Sequence, residues 1–230
     1  MESPDSSAHA ETVVIAIDGP AASGKSTVAR ALAERLGYRF LNSGDLYRAM
    51  TWACLRHGVD CRDAGAVASA AGKTQIEVGC DEINYFPLVD GEDPRKHLRD
   101  EAVNANVSPV SAVPAVRYIL SAAIRSHSRG RQTVVEGRDI GSAVFPETPY
   151  KFYIDAPAHV RQRRRRNQGQ SEEIARRDLI DSTRSTDPLT VAPGATVIDS
   201  SVLDVQGVVG AMLAKLKTQG LAAAQTAFNS

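Results

Sequence analysis

Cysteine is scarce in this 230-residue chain: Cys54, Cys61 and Cys80 are all there is, and no two form a CxxC pair. An odd number at such spacings, without ligand-like neighbours, excludes a disulfide framework and fits reduced, structural thiols in a cytoplasmic protein. Aromatic residues make up 5% of the chain, so stacking platforms for nucleic acid are few. No run approaches 18 apolar residues, which leaves no candidate membrane span. Neither sign of charge prevails, because 27 Lys and Arg face 27 Asp and Glu. Nothing global therefore draws the chain to nucleic acid or to an anionic membrane. Lysine is scarce too, at six of the 27 basic residues. The arginine excess favours fixed, bidentate recognition of phosphate or carboxylate over diffuse positive charge. The first eleven residues, MESPDSSAHAE, lack an apolar core and read as a flexible leader, not a signal peptide.

What the chain does contain is an alternation of short β-branched runs with longer helical patterns. VVIAID (13–18), YRFLN (38–42), QTVVEG (132–137), YKFYID (150–155) and ATVIDS (195–200) are apolar on successive residues, as strands buried on both faces of a parallel sheet are. Helical patterns cover 25–36, 45–57, 109–129, 157–167, 171–182 and 203–218. That order predicts a doubly wound α/β domain. Residues 74–100 break the rhythm with alternating pairs and turn residues, and read as a small antiparallel piece followed by a short helix.

The loop after the first strand, GPAASGKS (Gly19 to Ser26), matches G-x-x-x-x-G-K-[ST]. In such a phosphate-binding loop the glycines let backbone N–H groups turn inward, the lysine reaches the β- and γ-phosphates, and the hydroxyl serves Mg²⁺. The helix that starts near Lys25 points its positive end at the same anion. The loop says that a nucleoside triphosphate binds, but not where its phosphate goes. No Asn-Lys pair marks a guanine reader, and the strand TVVEGRD sets an arginine beside its acidic residue. That arrangement suits a transferase, because bringing a second anion to the first needs fixed positive groups. Arg48 and Arg138 follow strand ends, where ligands gather in an open α/β sheet. Arg161, Arg163–Arg166, Arg176, Arg177 and Arg184 crowd a later segment that NQGQS (167–171) splits. No general base stands out, and none is needed when the acceptor is already a phosphate dianion.

GPAASGKST, NSGDLYR, EGRDIGSAVFP and RRDLIDSTR, in that order, resemble the bacterial cytidylate kinases, a branch of the nucleoside monophosphate kinases. DGEDPRKHLRDEAVNANVSPVSAVPAVR is similar to that family's extended monophosphate-binding region, and the resemblance runs from about residue 12 to 216. It implies a P-loop three-layer α/β/α core with a five-stranded parallel sheet, a monophosphate-binding insert and a helical lid. It implies phosphoryl transfer from ATP to CMP or dCMP with Mg²⁺. By the same resemblance Gly19, Ala21, Ala22, Ser23, Gly24, Lys25, Ser26 and Thr27 would hold ATP, with Ser26 serving the metal and Arg161 or Arg165 covering the donor. Ser43, Arg48 and Arg138 would hold the acceptor phosphate, Arg177 and Asp181 its ribose, and Arg184 would neutralise charge near the transferred group. Lys25, Arg138 and Arg184 would be the catalytic set.

Ser108, Arg117 and Asp139 would read cytosine. An aspartate accepts from the N4 amino group while Arg and Ser donate to O2 and N3, and uracil would set a carbonyl against Asp139. The chain departs from the family pattern in two places. Only residues 167–176 separate Arg166 from Arg177, where the family commonly has more, and Asp45-Leu46 stand where it usually shows a small residue and Met. Asp45 is expected to cap the helix 45–57.

On this reading residues 1–11 are the leader, 12–72 and 101–218 the kinase core with a lid at about 157–185, 73–100 the insert, and 219–230 a flexible tail. The expected state is a monomer, because no stretch reads as a coiled coil, with small-molecule substrates and neither nucleic acid nor membrane as partner. The competing readings are another small-molecule P-loop kinase, acting on UMP or shikimate, and a nucleotide-binding switch that transfers nothing.

Overall fold

The computed structural model describes residues 11–167 and 174–227, so the leader before Glu11, most of the NQGQS break and the last three residues lie outside it. Its centre is a seven-stranded sheet. The strands are β1 (Val13–Asp18), β2 (Arg39–Asn42), β3 (Ile76–Asp81), β4 (Asn84–Val89), β5 (Gln132–Gly137), β6 (Lys151–Asp155) and β7 (Thr196–Asp199), in the order β3-β4-β2-β5-β1-β6-β7. All neighbours are parallel except the β3–β4 hairpin.

The five parallel strands expected from apolar runs are all present, and the count of five is corrected to seven. The antiparallel piece of the insert is a hairpin whose second strand pairs with β2, Phe40 opposite Asn84 and Leu41 opposite Tyr85. The edge of β2 would otherwise leave a row of backbone donors and acceptors unpaired, which the hairpin satisfies.

Alternation along the central strands builds two cores. Val14 and Ala16 of β1 and Val135 of β5 face one way, against α2 (Ser43–Arg56), α4 (Glu101–Ala112) and α5 (Pro114–Ser128), with α3 (Ala64–Ala71) packed outside. Ile15, Ile17, Val134 and Phe152 face the other way, against α1 (Lys25–Leu36) and α8 (Val205–Thr218), which α9 (Ala222–Ala227) joins. Both faces are thus covered by helices, as a parallel sheet requires. Two further helices, α6 (Ala158–Asn167) and α7 (Ile174–Thr183), follow β6.

The expected helix 109–129 is in fact two, α4 and α5, bent by 95°. Proline at 114 has no N–H to continue a helix but fits the first turn of a new one, so α5 starts there. Helix α2 begins at Ser43, two residues before the expected start. Asp45 therefore lies in its first turn and does not cap it; its carboxylate accepts from Arg99 Nη2 at 2.7 Å. Trp52 is half-buried and stacks on His97 with ring centroids 5.8 Å apart. Among the described residues no single helix is long and apolar enough to cross a membrane.

Candidate active site

Sheet register sets the site. Asp18 pairs with Gly137 and Asn42 with Glu136, so the carboxyl ends of β1, β5 and β2 finish side by side. From those ends spring the Gly19 loop, the Glu136–Asp139 segment and the first turn of α2. They form one cleft, which α7 closes with Arg177 and Asp181 and the segment after it with Arg184. This is the place that an open parallel sheet offers a ligand.

The loop is built close to its neighbours. Gly19 has φ +154°, and a Cβ there would meet the Ile154 carbonyl oxygen at 2.1 Å. Gly24, at φ +90°, turns the chain into α1. Lys25 is buried, donating to the Pro20 carbonyl at 3.1 Å with Glu136 3.9 Å away. Burial and then Arg138 push its ammonium down to about 7, against the pull of Glu136. A phosphate chain beside it would restore the charge, since an anion favours the protonated form.

Behind the loop, the Asp178 carboxylate accepts from the Ala21 N–H at 3.2 Å and from Arg161, and Arg161 also donates to the Ala21 carbonyl at 3.1 Å. Arg164 donates to the Ser23 carbonyl at 3.1 Å and to the Ser200 carbonyl at 2.6 Å. Helices α6 and α7 thus clamp the backbone of the loop. Asp18, buried at the end of β1, accepts from the N–H groups of Ile140 and Gly141, each at 2.7 Å. Burial is the main reason its carboxyl is pushed up to about 7. Those two bonds anchor the π-helical turn Ile140–Val144, and so aim Arg138 and Asp139 just ahead of it.

Opposite the loop, Arg138 Nε donates to Asp181 at 2.8 Å. Burial raises the Asp181 carboxyl, but Arg138 and Arg177 more than offset it and hold the group below its ordinary value. Arg48, also buried, donates to the Leu98 carbonyl at 3.3 Å and to Asn104. Farther along, Asp139 accepts from Arg117 through one oxygen and from Arg184 Nη2 through the other, at 3.1 Å. Burial pushes the Asp139 carboxyl up, and the two arginines lower it in part. One rim therefore carries the glycine-turned loop with its buried lysine, and the far end presents a carboxylate between two guanidinium groups.

A family model described as cytidylate kinase matches residues 15–218. The chain belongs to the cytidylate kinase family. The cytidylate kinase of Rhodococcus jostii (strain RHA1) is 41% identical over 213 residues, which cover 87% of this chain and 93% of that protein. That of Mycobacterium leprae (strain Br4923) is 44% identical over 201 residues, 82% and 88% of the two. Among solved structures, a shikimate kinase from Acinetobacter baumannii in complex with shikimate covers 93% of this chain and 98% of its own, with a TM-score of 0.46 at 18% identity. At that level of likeness nothing about the substrate follows. Family membership makes the chain a nucleoside monophosphate kinase, a phosphotransferase whose reaction is phosphorylation of CMP and dCMP.

In this family member, Ala21, Ala22, Gly24–Thr27, Ser43, Arg48, Arg138, Asp139, Arg165, Arg177, Asp181 and Arg184 line the cleft. Gly19, Ser23, Ser108, Arg117 and Arg161 do not. Gly19 and Ser23 shape the loop, and Arg117 grips Asp139 from behind. Ser108 lies one turn before Ser111, which lines the cleft and donates its hydroxyl to the Ser108 carbonyl at 2.9 Å. Of the two arginines expected over the donor, Arg165 lines the cleft and Arg161 braces the loop.

Arg99, Asp178 and Asp187 were not singled out by sequence, and Glu136 entered only as the acidic residue of the strand TVVEGRD. Glu136 had a signal, an acidic residue closing a buried strand. The other three have partners 17 to 157 residues away, at Ala21, Asp45, Arg117 and Arg161, which no local pattern reveals.

Proposed function

We propose that the cleft passes the γ-phosphoryl of ATP in line to the phosphate of CMP or dCMP, giving ADP and CDP or dCDP. The observation that carries this reading is that a phosphate-binding loop and a carboxylate gripped by two arginines face one another across a single cleft. Transfer between two polyanions needs positioning and charge stabilisation more than covalent chemistry. Lys25 and the loop N–H groups hold the donor chain, with Arg165 above it. Ser43, Arg48 and Arg138 hold the acceptor phosphate, Arg177 and Asp181 the ribose, and Arg184 the charge that develops between the two phosphates. Asp139, on the cleft wall, accepts from the cytosine N4 amino group, and Arg117 and Ser108, expected to read the same base, stand behind that wall, with Arg117 holding the Asp139 carboxylate.

For the metal, Ser26 and Glu136 are the fitting pair. The Ser26 hydroxyl donates to Glu136 Oε1 at 2.6 Å, so two hard oxygens of the kind Mg²⁺ takes meet beside the loop. When bound, Mg²⁺ neutralises charge on the donor phosphates. The reaction uses no general base of the protein, because the acceptor phosphate is itself the nucleophile.

The test is a coupled assay of ADP release from Mg·ATP with CMP, dCMP, UMP, AMP, GMP and shikimate in turn. Rapid turnover confined to CMP and dCMP is the expected result. Slow ADP release, indifferent to every acceptor, would instead mark a nucleotide switch.

A further inference from the structure

Asp187 lies three residues beyond Arg184 in the segment STRSTDP, outside every motif that carries the family likeness. Its carboxylate accepts from Arg117 Nε at 3.0 Å, and its backbone carbonyl accepts from Arg184 Nε at 2.7 Å. The same two guanidinium groups turn their other edges to Asp139. The four residues therefore form a closed ring, Asp139–Arg117–Asp187–Arg184, with two positive and two negative groups. Arg117, Arg184 and Asp139 are almost wholly buried, while the Asp187 side chain keeps 34% of its exposure and faces outward. Asp187 also stands at φ 48°, a left-handed conformation that non-glycine residues seldom adopt. That backbone turn aims its carboxylate and its carbonyl at neighbouring guanidinium groups at once. The Leu189 N–H, donating to the Asp181 carbonyl at 2.7 Å, folds the segment back onto the end of α7.

We propose that Asp187 is a specificity-determining positioning residue: by holding Arg117 and Arg184 from outside the cleft, it fixes the carboxylate of Asp139 in the orientation that favours cytosine over uracil. The inference rests on the base-reading role given to Asp139 above. Without the second carboxylate, Arg117 is left to share Asp139 with Arg184, which also has Asp181 at 3.9 Å, and the two buried guanidinium groups repel one another with less negative charge between them. Arg117 is also committed to the Ser111 carbonyl at 3.2 Å and packs over the Tyr47 ring at 5.5 Å, so Asp187, Ser111 and Asp139 together fix its plane. Removing Asp187 releases the Nε edge and lets the guanidinium tilt. The tilt moves the carboxylate it grips. Asp187 itself touches no substrate, so its effect travels through the two arginines.

Two variants of the full chain separate the side chain from the backbone. Asp187→Gly removes the carboxylate, keeps the carbonyl on Arg184 and suits the left-handed φ; Asp187→Asn keeps the shape and removes the charge. The measurements are kcat and KM for CMP and for UMP, KM for ATP, and the melting temperature. The expected result is a fall of about ten-fold in the ratio of kcat/KM for CMP to that for UMP, the size of one misaligned base contact. The loss should sit in KM for CMP, with KM for ATP retained, and Asp187→Asn should fall between wild type and Asp187→Gly. A CMP-to-UMP ratio unchanged in both variants overturns the proposal, as does an equal loss on both nucleotides, which is what mere loosening of the fold would give. Wild-type protein without a preference for CMP over UMP would overturn the base-reading role first, and that result appears before any variant is made.

Discussion

Positive side chains in and behind the cleft are tolerated because carboxylates stand among them: Arg138 meets Asp181, Arg117 meets Asp139 and Asp187, and Arg184 meets Asp139. Asp139 is shared by two buried arginines, Arg117 and Arg184. Asp139→Ala leaves two buried guanidinium groups facing each other with one anion gone, and breaking a buried ion pair costs about 3–5 kcal/mol. We expect the urea midpoint to fall accordingly, and CMP to lose its advantage over UMP while ATP still binds. Asp139→Asn, which keeps one acceptor oxygen for the arginines, should lose less stability but as much selectivity, since with that oxygen held its NH2 is left to face the N4 amino group, donor against donor. A variant as stable as wild type, still preferring CMP, would show that Asp139 neither holds the arginines nor reads the base.

At the scale of elements, the loop between β1 and α1 depends on the absence of a side chain at Gly19. A Cβ there would lie 2.1 Å from a carbonyl of β6, a backbone group that cannot swing aside as a side-chain tip would. Gly19→Ala should therefore displace the loop and raise the Kd for ATP at least about ten-fold, equivalent to ~1.4 kcal/mol, as titration calorimetry would read. Unchanged affinity would mean that β6 can retreat.

This loop was legible from sequence, because its chemistry needs fixed residue types at fixed spacing. The five central strands were legible for another reason: burial on both faces leaves unbroken apolar runs. The bend between α4 and α5 was hidden, since Val107, Val110, Val113, Val116, Leu120 and Ile124 keep helical spacing straight across it and all are buried. Periodicity reports which side is buried, not whether the axis turns; only Pro114 hinted at the break. The pairing of the hairpin with β2 had no local signal either, since strand order belongs to contacts between distant residues. The same is true of Asp178 and Asp187, which act on the site from behind.

For the molecule as a whole, the sheet grades from a buried centre to a more exposed rim. Every residue of β5 after Gln132 is buried, whereas no residue of β3 is. Local opening follows that gradient, because strands with few buried contacts open at little cost. Amide hydrogen exchange followed by mass spectrometry should find β5 and β1 slowest and the β3–β4 hairpin fastest among the strands. Protection of β3 equal to that of β5 would mean the hairpin opens only with the whole domain.

The strand order also bears on how the chain is made. Both neighbours of β1 come late, β5 beginning at Gln132 and β6 at Lys151. While a ribosome is still translating the residues before β5, β1 and the phosphate-binding loop that follows it lack both of their neighbouring strands. At ~5–20 residues per second, the roughly 120 residues between β1 and the end of β5 take about 6 to 24 seconds to appear. For that interval VVIAID is a bare apolar strand on a nascent chain, open to wrong partners. The loop that defines the enzyme is synthesised well before the strands beside it, and it cannot take up nucleotide until β5 has slotted in between β1 and β2.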